Sequence, residues 1–269
     1  MVERVLLTGA AGRIGSCLRP GLRTGLRELR LSDVAPLRAE HPNETVAPAD
    51  LGDAEALARA AAGVDAILHL GGEAGEAALD ALLEPNVRGV FHVLDAARRA
   101  GARRVVLASS THVTGFYDAG VPLTGGEPVR PDSLYGVTKA FAEALGRMYA
   151  DKFGLEVVCL RLGSFGERPG EARQLSTWLS HSDAVRLFRA CLSAPSPLGF
   201  AVAYGASANT RGWWDLGPAR RLGYEPQDDA EAFAAELGEP PHDEPQGAEF
   251  ADPRYGGWAQ PSGTRSTAS

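Results

Sequence analysis

Tyr135 and Lys139 stand four residues apart, which puts a phenol and an ammonium on one face of a helix, one turn from each other. A cation beside a phenol favours the phenolate, so such a pair suits general acid/base catalysis. Composition strengthens the reading. Of 27 basic residues only Lys139 and Lys152 are lysines, and a compact ammonium differs from the planar guanidinium used elsewhere in shape and reach. A second chemically meaningful stretch is Gly9-Ala10-Ala11-Gly12-Arg13-Ile14-Gly15, a glycine loop that lets backbone approach a pyrophosphate at a helix N-terminus. Asp33 lies 21 residues after Gly12, near the spacing of the acid that takes an adenosine ribose. A carboxylate there accepts from both ribose hydroxyls and repels a 2′-phosphate, which predicts NAD over NADP. The other reading of Asp33 is a residue that opens the turn before Pro36.

These groups need elements to hold them. Residues 3–8 are an apolar run leading into the glycine loop, and Ile14, Leu18 and Leu22 leave it at helical spacing. Residues 29–33 read as the second strand. Asp50 and Leu51 precede a helix over about 53–62, where they flank an adenine or cap that helix. Residues 64–70 form another strand, and Leu70-Gly71-Gly72 at its end brings backbone close to a ligand. His69, inside that apolar run, reads as a satisfied core histidine. Residues 78–100 are helical in spacing, with Asn86 either bridging two elements or standing as a surface amide. The buried strand over 104–108 delivers Ser109-Ser110-Thr111-His112 to its carboxyl edge. Tyr135 and Lys139 ride on a helix over about 133–153, followed by a strand over 155–162 that ends in Gly163-Ser164. Strands alternating with helices at this spacing predict an α/β fold, a Rossmann-like doubly wound parallel sheet covered on both faces.

Past residue 163 the pattern loosens. A loop with Glu167, Arg168, Glu171 and Arg173 leads to a helix capped by Ser182 or Asp183 and running through Cys191. A short strand over 201–204 and a last helix over about 229–237 follow. The division expected is an NAD-binding portion over 1–165 with the catalytic residues, a small substrate-binding portion of the same domain over 166–238, and a Pro/Gly-rich tail over 239–269. Phe250, Tyr255 and Trp258 interrupt the tail, so it should lie against the body or a neighbouring subunit before fraying near Ser262.

At 269 residues and 44% apolar the chain can bury a full core, and its net charge of −7, with no long basic block, argues against nucleic acid. Cys17, Cys159 and Cys191 lack the spacing of a disulfide framework or a zinc site, so no metal is expected and a reducing compartment is. No stretch is apolar for about 18 residues and none has the form of a signal peptide, which predicts a cytoplasmic protein with no membrane partner.

The glycine loop, Asp33, Ser110, Tyr135 and Lys139, in this order over the first 165 residues, resemble the short-chain dehydrogenase/reductase superfamily in its extended, epimerase-like branch. The resemblance implies that Ser110 orients the reacting oxygen, Tyr135 transfers its proton, and Lys139 holds the nicotinamide ribose. It also implies NAD contacts along Gly9, Ala11, Gly12, Arg13, Ile14, Gly15, Asp33, Asp50, Leu51, Leu70, Gly71 and Gly72. Further segments, Leu175-Ser176-Thr177-Trp178, Ser180-His181, Tyr204-Gly205-Ala206-Ser207-Ala208-Asn209 and Gly212-Trp213-Trp214-Asp215, look like those of bacterial uronate dehydrogenases from residue 3 to about 237. That family oxidises the anomeric carbon of galacturonate or glucuronate with NAD, giving an aldarolactone that opens to the aldaric acid.

By that resemblance Arg173 grips the sugar carboxylate, while Ser164 and His112 bind sugar hydroxyls. The alternative for Arg173 is a solvated side chain pairing Glu171. Two positions depart from the family pattern: Thr111 stands where an asparagine is common, and Ala74 where a serine is. Both are sugar-facing in the family, so sugar preference is where this chain should differ. Trp258 is the nearest match to the family's C-terminal aromatic contact. A sugar-nucleotide epimerase or dehydratase is the alternative enzyme, set against by the little over 100 residues after Ser164. A non-catalytic NAD-binding sensor is the other alternative, set against by the intact Ser110, Tyr135 and Lys139. Helices near residues 79–100 and 133–153 are placed to pair in a homo-oligomer, as in related proteins.

Overall fold

The computed structural model describes residues 2–240 and 243–255. Its strands in chain order are β1 (Arg4–Thr8), β2 (Glu28–Ser32), β3 (Glu44–Val46), β4 (Ala66–His69), β5 (Arg104–Ser110), β6 (Glu156–Leu162), β7 (Ser164–Phe165), β8 (Trp178–Leu179) and β9 (Phe200–Gly205). The helices are α1 (Arg13–Leu22), α2 (Ala54–Ala61), α3 (Leu79–Leu82), α4 (Gly89–Ala100), α5 (Leu134–Phe153), α6 (Gln174–Thr177), α7 (His181–Ser193), α8 (Gly217–Arg221) and α9 (Ala234–Leu237).

Seven strands pair in the order β3-β2-β1-β4-β5-β6-β9, every pair parallel, while β7 and β8 form a small separate ladder. The chain steps outward from β1 to β3, then returns to the other side of β1 with β4. The resulting crevice at the carboxyl ends of β1 and β4 is where such sheets bind ligands. β9, from the segment after residue 165, is a strand of this same sheet.

Side chains alternate across the sheet and both faces are covered. Val5, Leu7, Leu29, Leu31, Val106 and Val158 pack beneath α1 and α7 with Leu18, Leu22, Leu187 and Phe188. Leu6, Ile67, Val105, Leu107 and Val157 face α2, α4 and α5 with Leu57, Val93, Leu94 and Tyr149. Burial on both faces is why these strands read as continuous apolar runs. The buried charges are paired. Arg104 holds Glu156 at 2.6 and 2.9 Å and donates to the carbonyls of Cys191, Leu192 and Ala194, fastening the end of α7 to the sheet. Glu143 on α5 joins Arg161 at 2.8 and 2.9 Å to Ser109 at 2.6 Å.

Three local expectations change. The helix expected over 78–100 is interrupted by a π-turn at Leu83–Arg88, because Pro85 has no N–H to continue the ladder. That turn places Asn86 in the interior, where it bonds both polar groups of Glu73's backbone and the Thr138 hydroxyl, so it bridges two elements. α7 is capped by Ser180, which accepts from Asp183 N–H at 2.9 Å, and not by Ser182 or Asp183. Asp183 instead turns inward and accepts from the backbone of Gln227 and Asp228. Finally, the last helix is split into a 3-10 turn at Ala230–Phe233 and α9. Among the described residues no helix is long and apolar enough to cross a membrane.

Candidate active site

A cavity of about 850 Å³ opens at the crevice. Among the described residues, every one expected from sequence at cofactor, catalytic or sugar positions lines it.

On one side, β1 ends at Thr8 and the glycine loop turns into α1. The N-cap of α1 is Gly12, which offers no side-chain cap, and the first turn carries no acidic residue. The positive end of the helix dipole and its free N–H groups therefore face the cavity, as a pyrophosphate requires. Gly15 permits this packing, since a Cβ there would overlap the Gly9 carbonyl and Ala10. Asp33, at the end of β2, accepts from Ala11 N–H at 2.9 Å and from Ala35 N–H at 3.0 Å. It organises a turn and at the same time fastens the glycine loop beside itself, so both readings of this residue hold. Asp50 accepts from Gly52 N–H at 2.8 Å, while the cap of α2 is Asp53, bonded to Glu55 and Ala56. Asp50 and Leu51 are thus left as cavity wall. These features fit NAD: an uncapped helix end, a carboxylate after β2 and a glycine-lined end of β4.

His69 stands just behind this wall. Its Nδ1 pairs with Thr8 Oγ1 at 2.8 Å, but Nε2 has no partner among the described residues. It is a core histidine as expected, though only half satisfied. Burial first, and the charge of Lys139 second, pull its pKa down to about 3, so it stays neutral.

Tyr135 and Lys139 occupy the first turns of α5. Ser133 caps that helix through Gly136 N–H at 3.0 Å, and the Glu76 carboxylate accepts from Leu134 and Tyr135 N–H at 3.2 and 2.8 Å. A negative group at this helix end is favourable and ties the loop after β4 to the helix carrying the phenol. Lys139 donates to the Ala108 carbonyl at 2.9 Å, and its Nζ lies 5.4 Å from the centre of the Tyr135 ring. Ser110, at the end of β5, accepts from His112 N–H at 3.2 Å.

The far side is built from more distant parts. His112 Nδ1 pairs with the buried Asp132 carboxylate at 2.8 Å. A carboxylate only accepts, so Nδ1 carries the proton and Nε2 is left for a ligand. Ser164, on β7, shares a hydrogen bond of 2.9 Å with Thr177. Arg173 precedes α6, stands over the Trp213 ring at 5.8 Å, and donates Nε–H at 3.1 Å and Nη2–H to the main-chain carbonyl of Gln246. Among the described residues Arg173 has no salt bridge, so the pairing with Glu171 is not formed. Burial lowers the pKa of this guanidinium, and the carboxylates of Glu171, Asp132, Glu249 and Glu244 oppose the shift. Thr111 and Ala74 complete the lining.

Phe250, expected from sequence to hold the tail against the body but not named as a site residue, stacks on His112 with centroids 3.8 Å apart and planes at 27°. It puts a C-terminal aromatic in the cavity wall, while Trp258, the residue expected at the family's aromatic contact, lies outside the described residues. Asp132, Glu76 and Gln246 were not named as site residues either. The one signal for them was an aromatic inside a Pro/Gly-rich tail; the others are single polar residues without a pattern. Among the described residues there is no cluster of His, Cys, Asp or Glu able to hold a metal ion.

The family model described as NAD dependent epimerase/dehydratase matches residues 5–190. The chain is 44% identical over 234 residues to the uronate dehydrogenase of Pseudomonas putida, covering 87% of each chain. It is 36% identical to the NAD-dependent glucose-6-phosphate dehydrogenase of Haloferax volcanii, covering 89% of this chain and 98% of that one. A solved structure of the uronate dehydrogenase of Agrobacterium tumefaciens, a variant complexed with NAD, aligns with a TM-score of 0.88 at 43% identity, covering 94% of this chain and 98% of the other. The family match runs from β1 into α7, and the 44% likeness carries it over most of the chain: this protein belongs to the NAD-dependent epimerase/dehydratase family, among its uronate dehydrogenases.

Proposed function

We propose that the protein oxidises a hexuronic acid, galacturonate or glucuronate, at C1, giving the aldarolactone that opens to the aldaric acid. The observation that carries this reading is Arg173, a half-buried cation with no salt-bridge partner among the described residues, lining the same cavity as Ser110, Tyr135 and Lys139. NAD, when bound along the glycine loop and Asp33, accepts the hydride that leaves C1. Tyr135 takes the proton of the C1 hydroxyl, Ser110 steadies that oxygen, and Lys139 supplies positive charge beside the phenol. His112 Nε2 and Ser164 meet sugar hydroxyls. Arg173 meets the carboxylate, where hydrogen bonds to a charged group contribute about 1.5–3 kcal/mol each, enough to prefer uronates over neutral sugars. Thr111 and Ala74 alter the hydroxyl contacts and set which uronate is preferred.

Support against a sugar-nucleotide substrate comes from the tail, whose Phe250 lies on His112 and limits the space beyond the sugar. We place the protein in the cytoplasm, on its unpaired cysteines, and as a homo-oligomer. The exposed Leu79, Phe91, Phe141, Met148 and Phe153 on α3, α4 and α5 offer an apolar face for a second copy.

The test is NADH formation by purified protein with NAD and a panel of galacturonate, glucuronate, mannuronate, galactose and glucose. Rates confined to uronates and lost in Arg173→Ala support the reading. Turnover of neutral sugars that is indifferent to Arg173 overturns it.

A further inference from the structure

Gln246 is only 2% exposed, in a segment otherwise rich in proline, glycine and charge, and all its polar groups are used. Its N–H donates to the Tyr117 carbonyl at 2.7 Å. Nε2 donates to the carbonyls of Asp118 and Val121 at 3.2 and 3.0 Å, and Oε1 accepts from Trp214 Nε1–H at 2.9 Å. Its own carbonyl takes Nε–H and Nη2–H of Arg173. One residue later, Gly247 donates to the Gly115 carbonyl at 2.8 Å and passes so close to Asp132 that a Cβ would overlap its carboxylate. The Trp214 that holds Gln246 is itself stacked on Tyr204, with centroids 5.0 Å apart and planes at 8°. Tyr204 bonds Thr114 at 2.8 Å and Arg161 at 3.3 Å, so the anchorage reaches the interior of the sheet.

What this anchorage fixes is one oxygen on one guanidinium. A guanidinium carries five N–H donors in a rigid plane. The Gln246 carbonyl takes the edge formed by Nε and Nη2, leaving the donors of Nη1 and the second hydrogen of Nη2. A neutral acceptor orients the cation without cancelling its charge, whereas a carboxylate in the same place would leave little attraction for an anionic ligand. Holding the side chain beforehand also removes rotamer freedom that arginine would otherwise lose on binding.

Resting on the uronate reading above, we infer that Gln246 is a positioning residue for Arg173: its buried amide holds its main-chain carbonyl against one edge of the guanidinium, presetting the other for the sugar carboxylate. Gln246→Leu removes the three side-chain bonds. It should raise KM for galacturonate about tenfold, leave kcat within about threefold, and leave the NAD dissociation constant within about twofold. In an Arg173→Lys background, where the planar edge is gone, the same substitution should change KM by less than about twofold. Trp214→Phe keeps an aromatic ring on Tyr204 but lacks the donor, and should raise KM in the same direction by a smaller factor. An unchanged KM in Gln246→Leu, or an equal rise in both Arg173 backgrounds, overturns the inference; the second result would mean that the tail acts through Phe250 instead. Thermal unfolding midpoints of the wild type, Gln246→Leu, Arg173→Lys and the double variant give the same cycle without substrate. Coupled midpoints in a protein that oxidises no uronate would reject the uronate reading and keep the Gln246–Arg173 coupling, while independent midpoints would reject the coupling as well.

Discussion

Between Thr8 and Gly72 the cavity wall is mostly backbone, small residues and two carboxylates, Asp33 and Asp50, arranged by loops that follow β1, β2, β3 and β4 directly. The opposite wall draws His112, Ser164, Arg173 and Phe250 from four separate stretches, and their positions depend on side-chain contacts such as Arg173 to Gln246, 73 residues away. The cofactor side thus follows from sheet topology and a few small residues, while the proposed sugar side follows from tertiary contacts that could change without altering the fold. Cofactor affinity and sugar affinity should therefore respond to different substitutions.

The largest expected effect lies where the two sides meet. Tyr135→Phe should lower kcat by about a thousandfold, in the range of a lost general base, with the NAD dissociation constant unchanged. Fluorescence titration with NAD beside initial-rate assays checks both halves of that statement. Arg173→Ala should lower kcat/KM for uronates by about 10- to 100-fold, expressed in KM. A matching loss of NAD affinity in that variant would break the separation of the two sides. Asp33→Asn should do the reverse, weakening NAD about tenfold and narrowing the preference over NADP while KM for the uronate stays put. The smallest effect concerns pH. Unfolded His69 titrates near its ordinary value of 6.5 and the folded one at about 3, so in that window the unfolded chain holds the extra proton and stability rises with pH. Between pH 6.5 and 5.5 this one group should cost about 1 kcal/mol of stability, and His69→Asn should flatten that limb in melts recorded across pH.

Much of the cofactor side was legible in sequence because its signals are local. The glycine loop sits between a strand and a helix, Asp33 follows at a fixed interval, and Ser110 and Tyr135 each stand beside a clear strand or helix. The helix carrying Tyr135 even begins at the serine expected of it, Ser133. The misses have physical reasons. Pro85 redirects backbone hydrogen bonding into a π-turn, which apolar spacing does not reveal. Ser180, Ser182 and Asp183 are all good capping residues, and the choice among them was made by Asp183 finding partners in the chain near residue 227. Phe250 and Gln246 belong to a stretch whose composition reads as unstructured, and only the finished body gives them something to bind.

The crossing of Gly247 over Asp132 has a temporal side. Chains emerge from the ribosome amino end first, and folding tends to proceed in that order. The loops after β1, β2 and β4 are synthesised well before residues 244–250, which must lay themselves across a body that already exists. A ligand that binds only the folded form adds to that form's stability, so NAD held on the earlier-made wall also steadies the body on which this strap lies.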